Sequence, residues 1–137
     1  MNILKIGEKA FTVIGNVIKV IGRSIFVDNV LIDSNLEDTV KIEFIGDLAS
    51  LDCGDAVIYG NVDGDVDGGD ITIDGNVGGN VDGGDITIGG NVEGDIECVD
   101  ITVHGNINGN IDGGDVTCNN ITGNVDADSI QCTSINN

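Results

Sequence analysis

The chain has 137 residues, 40% of them apolar but only 3% aromatic, with 22 Gly, no Pro and a formal net charge of −19. This length supports one domain, and the shortage of Phe, Tyr and Trp excludes an ordinary globular core, so any core must be thin and built from Ile, Val and Leu. So much glycine would suit a flexible linker, but a linker would not hold Ile and Val to a fixed period, and disorder is excluded on that ground.

The first residues, MNILKIGEKAFTVIG, lack the continuous apolar stretch and small-residue cleavage site of a secretory leader. No later stretch reaches the roughly 20 apolar residues that span a bilayer, and no CxxC pair suggests zinc. The expectation is a cytoplasmic protein with reduced thiols, no membrane contact, no metal and no cofactor. TVIGNVIKVIG and SIFVDNVLIDS then alternate like strands, with Asp28-Asn29 between apolar runs like a hairpin turn. All five bases, Lys5, Lys9, Lys19, Arg23 and Lys41, lie in the first 41 positions and are balanced by Glu8, Asp28, Asp33, Glu37 and Asp38. Residues 42–137 hold the other nineteen acids (24 less 5) and no base. This break divides the chain into a neutral N-terminal β-hairpin cap or oligomerisation segment, 1–41, and an acidic repeat, 42–137.

Within the repeat, Asn61, Asn76, Asn91 and Asn106 are fifteen apart, as are Asp55, Asp70, Asp85, Asp100 and Asp115. Each of these Asp residues opens a short strand: AVIY, ITID, ITIG, ITVH, VTCN. A short period held this often predicts an all-β, parallel β-solenoid (β-helix), here of about seven coils with a period of about 15 residues. Ile71, Ile73, Gly75, Val77, Gly79 and Val81 alternate and share an inward face, with glycines at the bends and DGGD as a tight turn. The stacked columns begin at Ala56, Ile58, Val62 and Val66. Ile42, Phe44, Leu48 and Leu51 make an earlier coil one residue short, and Ile130, Cys132 and Ile135 a final partial one. An open solenoid end exposes unpaired strand edges, for which residues 1–41 are the expected cap at one end.

Outward positions carry the charge. Asp52, Asp67, Asp82, Glu97, Asp112 and Asp126 form one column and the Asp55 to Asp115 series another; like charges about 5 Å apart repel by roughly 1 kcal/mol even in water. The Asp55 series suits carboxylates that accept backbone N–H groups of the DGGD bend. The Asn61 series suits an amide ladder. The Asp67 column, with Asp63, Glu93 and Asp95, instead suits solvent-facing charge.

Catalysis finds little support. The single histidine, His104, shares an outward column with Tyr59, Asp74, Gly89 and Asn119, and carboxylates on a convex ridge lack a water-excluding pocket. Three His for a solenoid zinc site are not available, and the single file Thr72, Thr87, Thr102, Thr117 lacks the paired ranks of ice-binding solenoids. DGDVDG, Asp63 to Gly68, matches the opening of an EF-hand loop, but the twelfth position is Asp74 and helices are absent. Cys118 and Cys132 stack as small hydrophobes in adjacent coils, while Cys53 and Cys98 lie three coils apart in the turn.

The phrases GNVDGDV, GNVGGNV, GNVEGDI and GNINGNI resemble the G-x-V-x-G-D-I wording of bactofilins, the polymer-forming bacterial cytoskeletal β-helices, and short repeat proteins of bacteria and phages. The likeness covers residues 42–135. It implies a right-handed triangular β-helix that joins end to end into nucleotide-free filaments.

The expectation that emerges is a non-catalytic protein acting by protein–protein contact and not by binding nucleic acid itself. Its partner is a basic, nucleic-acid-binding protein surface, occupied in the manner of phage DNA mimics and anti-defence inhibitors. The expected contacts are Asp63, Asp65, Asp67, Asp82, Glu93, Asp95, Glu97 and Asp112. The alternatives are a bactofilin-like scaffold, self-associating through the N-terminal segment or the solenoid ends, and a divalent-cation-binding repeat.

Overall fold

The computed structural model describes residues 2–36 and 42–136. Glu37, Asp38 and Lys41, which enter the charge balance, and the boundary after residue 41 lie outside the described residues. All regular elements described are strands. Five precede the repeat: β1 (Asn2–Ile6), β2 (Lys9–Val13), β3 (Val17–Ile21), β4 (Ser24–Val27) and β5 (Val30–Asp33). The repeat supplies β6 (Ile42–Ile45), β7 (Ser50–Asp52), β8 (Ala56–Tyr59), β9 (Val66–Asp67), β10 (Ile71–Ile73), β11 (Val81–Asp82), β12 (Asp85–Ile88), β13 (Ile96–Glu97) and β14 (Asp100–Val103). Two long strands, β15 (Ile111–Thr122) and β16 (Val125–Asn136), complete it.

The repeat winds into a parallel β-solenoid of about six turns, with β16 as a last layer on which no further described turn stacks. Each turn contributes three extended pieces. The first stacks Ile42, Ala56, Ile71, Ile86, Ile101, Val116 and Ile130. The second is a single-residue bridge, Leu48, Val62, Val77, Val92, Ile107 and Ile121. The third stacks Leu51, Val66, Val81, Ile96, Ile111 and Val125. In the middle turns the interior is filled by aliphatic side chains, and Phe44 is the one fully buried aromatic among the described residues. No polar or charged side chain is buried there.

Two turns are one residue short. Leu48 pairs with Val62, fourteen on, but Leu51 pairs with Val66, fifteen on, so the missing residue falls between Leu48 and Leu51. Near the other end Val116 sits fifteen after Ile101 while Ile121 sits fourteen after Ile107, which places the second deletion between Val116 and Ile121. The first falls in the link before β7 and the second within β15, and neither interrupts an inward column.

The glycines are there for space. Gly64, Gly79, Gly94 and Gly109 stand one above another, and a Cβ on any of them would run into backbone of the turn before it. Gly60, Gly75, Gly90 and Gly105 form a second such column, and the N–H groups of the last three reach the preceding glycine carbonyl, as in Gly90 to Gly75 at 2.9 Å. None of these eight has a positive φ. Expected as conformational hinges, they act by letting successive turns approach to hydrogen-bonding distance.

The N-terminal strands cover the first turn. β1 runs antiparallel to β6 and sets Leu4 over Phe44 and Ile6 over Ile42. β3 runs parallel to β7 and sets Ile18 over Leu51. Both contacts also place a lysine opposite an acid, Lys5 against Glu43 and Lys19 against Asp52. The hairpin between β4 and β5 turns on Asp28 and Asn29, at φ 49° and 65°, the left-handed pair that a two-residue hairpin demands. The Asp28 carboxylate accepts the Asn16 and Val17 N–H groups at 3.1 and 2.9 Å, which ties the hairpin tip back to the start of β3.

Gly94→Ala should lower stability by about 1–3 kcal/mol, because the methyl group must push two turns apart. Gly54, where a Cβ meets nothing within 4 Å, should accept Ala at little or no cost. Chemical denaturation of the two variants checks the contrast, and equal losses would refute the spacing argument.

Candidate acidic interaction face

The site grows out of the third extended piece of each turn. In the triplets 65–67, 80–82, 95–97 and 110–112 the middle residue, Val66, Val81, Ile96 or Ile111, is buried, which turns both neighbours outward. Stacking gives two parallel columns. Asp67, Asp82, Glu97 and Asp112 form an unbroken acidic one, extended by Asp52 and Asp126. Asp65, Asn80, Asp95 and Asn110 form the other. Between the walls Asp82–Glu97–Asp112 and Asn80–Asp95–Asn110 runs a shallow open groove of about 400 Å³.

Asp65 and Asp95 are more than solvent-facing charges. The Asp65 carboxylate accepts the Asn80 N–H at 2.8 Å, Asn80 accepts that of Asp95 at 2.9 Å, Asp95 that of Asn110 at 2.7 Å, and Asn110 that of Asn124 at 3.0 Å. This ladder was not anticipated, because Asp and Asn alternate in it; the shared property is an acceptor oxygen two bonds from Cβ, which either residue supplies. The Asn61 column forms the same ladder, begun by Asp47, whose Oδ1 accepts the Asn61 N–H at 2.8 Å. The Asp55 column does so at three of its four steps: Asp55 accepts the Asp70 N–H at 2.9 Å, Asp70 that of Asp85 at 3.2 Å and Asp100 that of Asp115 at 2.9 Å. The acceptor role expected for this column is present, but the N–H belongs to the same position of the next turn and not to the bend.

Six of the eight expected contacts, Asp65, Asp67, Asp82, Asp95, Glu97 and Asp112, therefore share one face. Asp63 and Glu93 belong to a sparser outward column with Gly78 and Asn108, and the Glu93 carboxylate accepts from the Asn108 amide at 2.7 Å. Partial burial first, then the like charges of Asp52 and Asp82, push the Asp67 carboxyl above the usual carboxylate range. At the cap Asp33 is held low by the Asn35 N–H and by Lys9, with which it forms an ion pair at 3.2 Å.

Three of the four thiols are held in the neutral form. Burial, more than the neighbouring acids, pushes Cys53 up to about 12 and Cys98 to about 11. Cys118, pushed up to about 12 by burial and by Cys132 beside it, stacks with that residue as a free pair. His104 is exposed and its carbonyl accepts the Asn119 amide at 2.8 Å. Among the described residues no three His, Cys, Asp or Glu side chains gather to hold a metal ion, and no helix is long and apolar enough to cross a membrane.

Comparison of the chain with protein families, curated proteins and solved structures gave no match. What is defined is the class of the fold, a β-solenoid.

A carboxyl whose folded value is raised contributes stability that is complete below its unfolded value near 3.8 and is lost as pH rises through the folded one. Acidification from neutral pH toward the ordinary carboxylate range, but not below it, should therefore raise the melting temperature, as should moderate salt. Asp67→Asn should raise it by about 1–3 °C at neutral pH and low salt, and flatten the response to pH. A melting temperature that falls in both experiments would contradict the crowding.

Proposed function

We propose that the chain is a non-catalytic DNA mimic: its acidic solenoid occupies a basic, nucleic-acid-binding surface of a partner protein, as phage anti-defence inhibitors do. One observation carries this reading. Seven strands stack in the Ile42 column, and at about 4.8 Å each they make a rod about 30 Å tall. Over that height residues 42–137 distribute nineteen acids and no base. The result is about one negative charge per 1.6 Å, against one per about 1.7 Å of axis for duplex DNA. A cleft built to neutralise duplex phosphates would meet nearly the same linear charge on this protein.

Rigidity supports the same reading. The carboxylates of Asp65 and Asp95 are held by backbone N–H groups, so part of the face is ordered before any partner arrives and less entropy is lost on docking. We place the activity in the cytoplasm, where four free cysteines stay reduced. A bactofilin-like scaffold is the second reading, favoured by the edge of β16 that no described strand covers; β1 and β3 already occupy the opposite end of the solenoid, which weighs against an end-to-end polymer.

The test is binding to a panel of basic duplex-binding proteins, with duplex DNA as competitor. Expected is an affinity that falls steeply with salt and is displaced by DNA. Reversing Asp67, Asp82, Glu97 and Asp112 together to Lys should weaken binding by at least about a hundredfold while leaving the β-signal of circular dichroism intact. Unaltered binding by that variant would sink the proposal.

A further inference from the structure

The two ends of the solenoid are built differently. At the N-terminal end the sheet finishes in the edge strands β2 and β5, and both are guarded. Lys9 on β2 reaches Asp33 on β5 at 3.2 Å, and the pairing of β4 with β5 is broken by a register shift at Ile25/Phe26. Charge and irregularity of this kind keep strand edges from pairing with other chains. β16, at the other end, pairs with β15 alone over ten residue pairs and has no described neighbour on its far side.

None of the guards is present along most of that edge. After Asp128 the stretch SIQCTSINN has no charged side chain and no Pro. Ile130 and Ile135, which continue inward columns, are 40% and 42% exposed. Elsewhere along the solenoid every turn presents acids, so two copies approaching flank to flank meet like charge. Along β16 they do not.

We propose that β16 docks against β16 of a second copy of this chain, antiparallel about a two-fold axis, to give a tail-to-tail dimer. Antiparallel pairing about an axis near Ile130 sets Val125 of each copy over Ile135 of the other and brings the two Ile130 side chains together. It also lays Asp126 and Asp128 over the uncharged 132–136 stretch of the partner, so the only acids on the edge do not face each other. Because the opposite end is covered and guarded, assembly stops at two copies. This inference depends on the edge alone and stands whether or not the partner of the acidic face is a nucleic-acid-binding protein.

Sedimentation velocity of the full chain, from low to high micromolar and at two salt concentrations, tests it. Expected is a species of twice 14.1 kDa, favoured by salt because screening relieves the repulsion between the rods. The double variant Gln131→Glu, Thr133→Glu changes two exposed, outward positions and places four acids across the axis. It should dimerise at least about tenfold more weakly with an unchanged circular dichroism spectrum. Ile130→Lys, an edge guard of the natural kind, should do the same. A monomer at every concentration, an open-ended series of oligomers, or a dimer indifferent to both changes would each overturn the proposal.

Discussion

The structure depends on the close vertical contact between one turn and the next. Neighbouring turns are joined by backbone hydrogen bonds close to 2.9 Å, such as Val62 to Asn76 and Val77 to Asn91, and this distance is reached only because Gly64, Gly79, Gly94 and their counterparts carry no side chain. Once the turns are that close, every position lies over its own equivalent. Aliphatic residues then bury one another in columns, Asn and Asp satisfy the next turn's N–H, and outward acids are forced into files. The core, the ladders and the charge are three results of one spacing.

That spacing also creates the main internal conflict. A column such as Asp52 to Asp126 sets like charges about 5 Å apart, at roughly 1 kcal/mol for each neighbouring pair before screening. Two devices answer it. In the Asp65 column Asn80 and Asn110 alternate with the acids, so the acceptor ladder is kept at half the charge. In the Asp67 column nothing interrupts the acids, but Lys19 of β3 sits in register with Asp52 and ends the file with a positive charge. The uninterrupted column is the part of the molecule whose charge the fold does not use, which is the physical reason for looking there for a partner.

The sequence showed most of the architecture because a repeat is averaged over its copies. The columns from Ala56, Ile58, Val62 and Val66, the short first turn and the Asp28-Asn29 hairpin are all found where spacing placed them. What spacing could not show was the partner of each side chain. Asp95 looked like free charge, and the backbone role of Asp65 went unread, because an Asp/Asn alternation reads as variability, whereas an acceptor oxygen held at every turn is one repeated chemistry. The Asp55 series was expected to bond within its bend, since that is the nearest donor along the chain; the nearest donor in space is one turn away. The cap's lysines carry no motif, and Lys5 and Lys19 acquire meaning only through the strands that place them over Glu43 and Asp52.

The middle turns are interchangeable in a way the ends are not. Because Ile71, Ile86 and Ile101 stand in identical register, gain or loss of one fifteen-residue unit by unequal recombination would leave every remaining contact as it was. The two fourteen-residue turns and the N-terminal strands mark where such a unit must stop. The rod is thus a ruler with fixed end-pieces, lengthening by one strand spacing, about 4.8 Å, per unit. Each unit brings its own acids, so the acidic face lengthens or shortens with the rod and its surface needs no redesign.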